Sequence, residues 1–264
     1  MTMRKRVLLE IGLLLPSLFL HVPAPVASAF CHSPGAMHTQ GGEEVKSTAS
    51  SSSAVSAGDV LPKRVLALHG FAQTASFFRQ KTGSMRKGVK GVEFVYIDAP
   101  CLCTHPTIGA GKSWYEFSEK GEEGKLMEWG KFEETVEYIE RVFQEQGPFD
   151  GVLGFSQGAC VVGVLCGMLE SGTLPAGIKF DFAVLISGFL PRDSRYRSIC
   201  APDQQITKVR SLHVVGKTDD VVEATRSLRL ADLFQNPIVV QHEKGHMVPS
   251  DKHVRDALKD FLNK

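Results

Sequence analysis

The chain has 264 residues, 43% of them hydrophobic and 22% charged, with a formal net charge of +1 at pH 7. That length suits one substantial domain plus a tail, and the composition is that of an ordinary globular protein. With so little net charge and no basic stripe interleaved with aromatics, neither nucleic acid nor an anionic membrane surface is expected as a partner. The six cysteines (Cys31, Cys101, Cys103, Cys160, Cys166 and Cys200) fit no metal-ligand spacing, so no metal is expected.

At the N-terminus, Arg4-Lys5-Arg6 precedes an apolar run from Val7 to Leu20, interrupted by Glu10 and Pro16, and then Ala27-Ser28-Ala29. A basic start, a short apolar stretch and a small-x-small site predict a signal peptide over 1–29 that directs the chain into the secretory pathway. The run is too short for a comfortable membrane span, so none is expected in the mature protein. Residues 30–59 are rich in Ser and Ala and carry too few apolar residues to bury a core, which predicts disorder. Ala29-Phe30 followed by this stretch resembles the bipartite presequences of algae with secondary plastids. An ordinary secretory signal plus a linker is the alternative, and both destinations stay open. A cytoplasmic location follows if the presequence is not functional. The folded domain is expected over 60–264.

From residue 63, short apolar runs alternate with longer amphipathic ones. Val65–Leu68, Glu93–Ile97, Gly151–Phe155, Phe182–Ile186, Leu212–Val215 and Ile238–Gln241 read as buried strands. Phe132, Val136, Ile139 and Phe143 recur at helical spacing, with Glu133, Glu137, Glu140 and Arg141 on the other face. Val161 to Leu169 is apolar almost all round and predicts a buried helix, while Val254, Ala257, Leu258 and Phe261 predict a closing amphipathic one. Strands alternating with helices give an α/β fold, a mostly parallel central sheet of about six strands with helices on both faces. Cys101 to about Gly124 reads as a long irregular loop, and 190–208 as a second irregular insertion.

Gly154-Phe155-Ser156-Gln157-Gly158 is the sharpest motif. It sits between a strand and a helix, the context of a nucleophile elbow, in which a sharp turn lifts the serine hydroxyl above the sheet. The glycines keep side chains from crowding that turn. A serine hydroxyl needs a base at neutral pH. His246 follows the last strand, whereas His213 and His242 lie within strands and His253 on the closing helix. The base in turn needs an acid to fix its tautomer. Asp219 and Asp220 follow the fifth buried strand, and either completes the chain order Ser…Asp…His of the α/β-hydrolase fold. Spacing does not choose between them. If Asp219 serves, Asp220 is expected to cap a helix starting near Val221. The oxyanion is expected at the amides of Gln157 and Phe71, the latter in the loop after the first strand. His69 reads as a structural residue beneath the site. Trp114, Tyr115 and Phe117 are candidates for a wall of the acyl pocket, with Phe189 and Leu190 as further candidates. For Trp114 and Tyr115, plain core packing is the competing reading.

His69-Gly70-Phe71, Phe78-Arg79-Gln80-Lys81-Thr82-Gly83, Arg86-Lys87, Asp98-Ala99-Pro100, Ser113-Trp114, the elbow, Gly216-x-x-Asp219-x-Val221 and Gly245-His246 together resemble the FSH family of serine hydrolases. The resemblance runs from about residue 62 to the C-terminus. It implies an α/β-hydrolase fold and hydrolysis of carboxylic esters, alkyl or acyl, with Ser156, Asp219 and His246 as the triad and no cofactor. The expected partner is a small-molecule or lipid-like ester, with no obligate protein partner. The acyl-protein thioesterase family shares Gly-Phe-Ser-Gln-Gly but continues with another glycine, where this chain has Ala159, and lacks the Phe78-to-Gly83 segment. An acyl-thioesterase on the same machinery and a small-molecule receptor remain the alternatives.

Overall fold

A computed structural model describes residues 61–105, 107, 109–120, 126–200 and 205–264. The expected signal peptide over 1–29 and the Ser/Ala-rich segment over 30–59 lie outside the described residues. Six strands form one sheet: β1 (Lys63–Leu68), β2 (Val92–Ile97), β7 (Gly151–Phe155), β8 (Phe182–Ile186), β9 (Arg210–Gly216) and β10 (Ile238–His242). Their order is β10-β9-β8-β7-β1-β2, and every neighbouring pair is parallel. They coincide with the six apolar runs of the sequence.

Both faces of the sheet are covered, which is why the central strands read as continuous apolar runs. Side chains alternate between two cores. Leu66, Leu68, Val152, Ala183 and Leu185 join the first, with α3 (Phe132–Gln146), α4 (Gln157–Ser171) and part of α6 (Ala224–Ala231). Val65, Ala67, Leu153, Phe155, Val184 and Ile186 join the second, with Phe78 of α1 (Ala75–Lys81), Met85 of α2 (Gly83–Arg86) and α7 (Lys252–Leu262). Phe132, Val136, Ile139 and Phe143 form the buried stripe of α3, as their spacing predicts. α4 buries its first eleven residues, Gln157 to Gly167, consistent with its lack of a polar face.

The chain moves outward from β1 to β2 and later returns on the other side of β1 to build β7. The connections leaving β1 and β7 therefore diverge at the carboxyl ends of adjacent strands. In parallel α/β sheets such a switch point opens a crevice. Here it brings the loop after β1, which carries His69 to Gln73, beside the turn that carries Ser156.

The stretch read as a long irregular loop is instead largely structured. β3 (Cys101–His105) pairs antiparallel with β4 (Gly109–Ser113), and β5 (Glu116–Lys120) with β6 (Leu126–Gly130). These are two-stranded ribbons outside the main sheet, rich in Gly, Lys, Ser and Glu, so no continuous apolar run marks them. The region over 190–208 contains the single-turn helix α5 (Ser194–Arg197) and a bridge from Ile206 to Phe234.

Candidate active site

Ser156 stands between β7 and α4 with φ 52° and ψ −114°, a left-handed conformation uncommon for a residue with a side chain. The flanking glycines make the turn possible. A Cβ on Gly154 would lie 2.6 Å from the Cα of Ala159, and one on Gly158 would lie 2.6 Å from the carbonyl oxygen of His69. Both obstacles are main chain, so no rotamer change would relieve them. The Ser156 amide is anchored to the Ile186 carbonyl at 2.9 Å, tying the elbow to β8.

His246, in the loop after β10, places Nε2 3.0 Å from Ser156 Oγ and Nδ1 2.8 Å from Asp219 Oδ2. Its ring also packs against Phe155, with centroids 4.9 Å apart. Asp219 leaves the end of β9 and is almost fully buried. Burial alone would raise its carboxyl pKa. The hydrogen bond and charge of His246, with the amides of Val222 and Val221, outweigh burial and hold it below the usual carboxylate range. An ionised carboxylate accepts from Nδ1–H and leaves Nε2 as the acceptor facing the serine hydroxyl.

The structure brings Ser156, His246 and Asp219 together and leaves Asp220 outside the chain of hydrogen bonds. The expected capping role is exchanged between the two aspartates. Asp219 Oδ1 accepts from Val221 at 3.0 Å and Val222 at 2.8 Å, whereas α6 begins later, at Ala224, with Glu223 before it. The carboxylate that faces His246 thus also closes the turn, and Asp220 is exposed.

The amides of Gln157 and Phe71, taken from the sequence as oxyanion donors, make no hydrogen bond to protein among the described residues. Gln157 opens α4, where the first N–H groups have no intrahelical partner. Its side chain has a second task that the motif did not disclose. Oε1 accepts from the Trp114 amide at 3.0 Å and Nε2 donates to the Tyr115 carbonyl at 3.1 Å, clamping the junction between β4 and β5 onto the elbow. The signal for this was present only as a polar residue at the start of an otherwise apolar helix.

Trp114 and Tyr115 require correction as pocket walls. Trp114 has no exposed surface, and its Nε1 donates to the His69 carbonyl at 2.7 Å. Tyr115 stacks on Trp129 with centroids 3.8 Å apart. Both are packing residues: they belong to the first core, and Tyr115 sits there in an aromatic cluster with Trp129, Phe132 and Tyr196. Phe117 is only half-buried and meets the half-buried Phe71 ring at 5.6 Å, beside the loop that carries the Phe71 amide. Phe189 is buried beneath the Arg226 guanidinium, 4.9 Å from its ring.

The remaining histidines of the sheet region are structural. His69 Nε2 accepts from the Ala99 amide at 3.0 Å, so Nδ1 carries the proton toward the Gly70 carbonyl, and burial lowers the pKa of its ring. Burial pushes His213 down to about 3. His242 is also lowered by burial. His253, on α7, is exposed and hydrogen-bonded to the Gln241 carbonyl.

Among the described residues no group of His, Cys, Asp and Glu has the arrangement of a metal site, and no helix is long and apolar enough to cross a membrane. Known proteins resemble this one in both sequence and fold. Residues 60–258 match the family described as "Serine hydrolase (FSH1)". Esterase OVCA2 of Xenopus tropicalis is 35% identical over 217 residues, covering 76% of this chain and 92% of that protein. Esterase C25G4.2 of Caenorhabditis elegans is 35% identical over 208 residues, covering 75% and 92%. In fold, the chain is similar to Zea mays acyl-protein thioesterase 2, with a TM-score of 0.56 at 17% identity, covering 78% of this chain and 94% of that one. The Bacillus cereus carboxylesterase gives a TM-score of 0.54 at 16% identity, covering 78% and 89%. These two likenesses place the sheet and its helices in the α/β-hydrolase fold. With the match spanning nearly the whole described domain, the chain belongs to the serine hydrolase (FSH1) family.

Proposed function

We propose that this protein hydrolyses carboxylic esters through an acyl-enzyme on Ser156. The observation that carries the reading is the continuous hydrogen-bonded line from Ser156 Oγ through His246 to Asp219, at 3.0 and 2.8 Å. Ser156 Oγ attacks the ester carbonyl while His246 Nε2 takes its proton. The imidazolium is stabilised by Asp219, whose carboxyl is held ionised. Negative charge on the carbonyl oxygen is met by the amides of Gln157 and Phe71, the first at the N-terminus of α4, where the helix dipole favours an anion. His246 then returns the proton to the departing alcohol. Water, deprotonated by the same imidazole, attacks the acyl-enzyme, and the carboxylic acid leaves. The half-exposed rings of Phe71 and Phe117 offer an apolar surface for the acyl chain beside the oxyanion donors.

The test is hydrolysis of 4-nitrophenyl esters of increasing acyl length by the full chain and by Ser156→Ala. Turnover by the wild type that disappears in the variant is the expected result. A folded wild type that turns over no ester, or a variant that turns over as well, would overthrow the proposal. A thioester in the same series separates an esterase from a thioesterase.

A further inference from the structure

A cleft of about 320 Å³ opens between the loops that leave β8 and β9. Four of the residues lining it are arginines: Arg192, Arg197, Arg226 and Arg229. Only two are acidic, Asp220 and Glu223. The chain as a whole carries a formal charge of +1, so this excess of cations is local. The guanidinium groups of Arg192, Arg197 and Arg229 form no ion pair among the described residues. Arg226 is half-buried, and its contacts include the Phe189 ring at 4.9 Å and the Val221 carbonyl at 3.5 Å.

The cleft adjoins the site already described. Val221 lines it and also donates its amide to Asp219 Oδ1. Its other wall, at Leu190 and Pro191, continues from Gly188, whose carbonyl accepts from Ser227 Oγ at 2.7 Å. A Cβ on Gly188 would touch Ala159, three residues past the nucleophile, at 3.2 Å. The cleft therefore lies at the carboxyl ends of β8 and β9, on the flank of the site that holds Asp219.

We propose that this cleft is a specificity subsite for the anionic end of the ester substrate, a carboxylate or phosphate borne on the part that does not react. The proposal rests on the esterase reading above. Guanidinium groups match the planar oxygens of either anion with paired donors, and several of them converging on one cleft favour such a group over a neutral one. Set against four arginines, Asp220 and Glu223 leave the lining net positive, and that excess disfavours cationic substrates.

The experiment compares three 4-nitrophenyl esters of one eight-carbon acyl chain, ending in a carboxylate, a phosphate or a neutral carboxamide. A matched set carries the same groups on the alcohol side. Each is hydrolysed by the full chain, by the double variant Arg192→Gln/Arg229→Gln and by Lys259→Gln, which lies on α7 away from the cleft. In the wild type at least one anionic ester is expected to have a kcat/KM about tenfold above its neutral partner, through KM. That ratio is expected to shrink with added salt, to fall toward one in the double variant and to persist in Lys259→Gln. Taking the ratio within each protein cancels any general change in activity. The carboxylate and phosphate arms identify which anion is preferred. Equal kcat/KM for all partners, or a preference that survives the double variant, overturns the proposal. If no ester is turned over, the esterase reading fails separately, and calorimetric titration with octanedioate and octyl phosphate decides the cleft. Binding that the double variant loses upholds an anion site, and its absence in the wild type overturns it.

Discussion

Gln157 Oε1 lies 3.0 Å from the Trp114 amide nitrogen, while Nε2 of the same side chain reaches the Tyr115 carbonyl at 3.1 Å. One residue thus offers its main-chain amide to the site and uses its buried side chain to hold the β4–β5 junction beneath it. Gln157→Ala would strand a buried N–H and a buried C=O, at a cost of about 2–4 kcal/mol. Urea unfolding should show that loss. Ester turnover should fall less than in Ser156→Ala, because the main-chain amide remains.

The elbow makes a sharper demand on its glycines. Gly158→Ala sets a Cβ 2.6 Å from the His69 carbonyl oxygen with nowhere to move. It should destabilise the fold by about 3 kcal/mol or more. Gly83→Ala is the contrasting case, with nothing within 4 Å of the added Cβ. Replacing glycine in such an unstrained setting restricts the unfolded chain and should stabilise by about 0.5 kcal/mol. Thermal melts of the two variants should therefore move in opposite directions.

Asp219 is the site residue whose substitution by Asn should change chemistry most while keeping the turn bonds that hold the fold. Asp219→Asn keeps an oxygen able to accept from the Val221 and Val222 amides. It removes the charge that fixes the His246 proton on Nδ1. The expectation is a fall in kcat of about 10⁴-fold in a protein that still folds, with a lower melting temperature at neutral pH because the stabilised carboxylate is lost. Asp220→Asn, at an exposed residue outside the hydrogen-bonded line, should retain turnover of neutral esters within a fewfold of the wild type. Steady-state kinetics of the two variants give the comparison.

Burial of His213 gives a pH dependence of known sign. Its folded-state pKa is lowered from 6.5 to about 3, so below pH 6.5 the unfolded chain takes up a proton that the folded chain refuses. Stability is therefore lost as pH falls from 6.5 toward 3, at about 1.4 kcal/mol per pH unit for this group. Between pH 7 and pH 5, the wild type should lose about 2 kcal/mol more than His213→Gln in denaturant unfolding. Asp219 acts in the same direction. Its lowered carboxyl contributes stability above its unfolded pKa and loses it as pH falls through the folded value.

The legible parts of this chain were those set by local pattern. The six sheet strands stood out because strands covered on both faces must be apolar at nearly every position. The elbow stood out because two glycines four residues apart are a steric necessity of the turn. The ribbons β3–β4 and β5–β6 are not legible in the sequence, since Gly109, Lys112 and Ser118 lie in five-residue strands that carry no continuous apolar run. Trp114 and Tyr115 are legible as important aromatics, but for Tyr115 the choice between pocket wall and core depends on Trp129, Phe132 and Tyr196, which no local pattern joins to it. The two adjacent aspartates were ambiguous for a related reason. Both follow a strand, and only the three-dimensional turn decides which carboxylate faces His246.

The central claim is a covalent one, and intact-mass spectrometry of the full chain during turnover of a slow ester tests it most directly. The account predicts one acyl group per chain, mapped by peptide digestion to Ser156, absent in Ser156→Ala and formed far more slowly in His246→Ala. Ester turnover with the acyl group on another residue, or with the adduct persisting in Ser156→Ala, would contradict it.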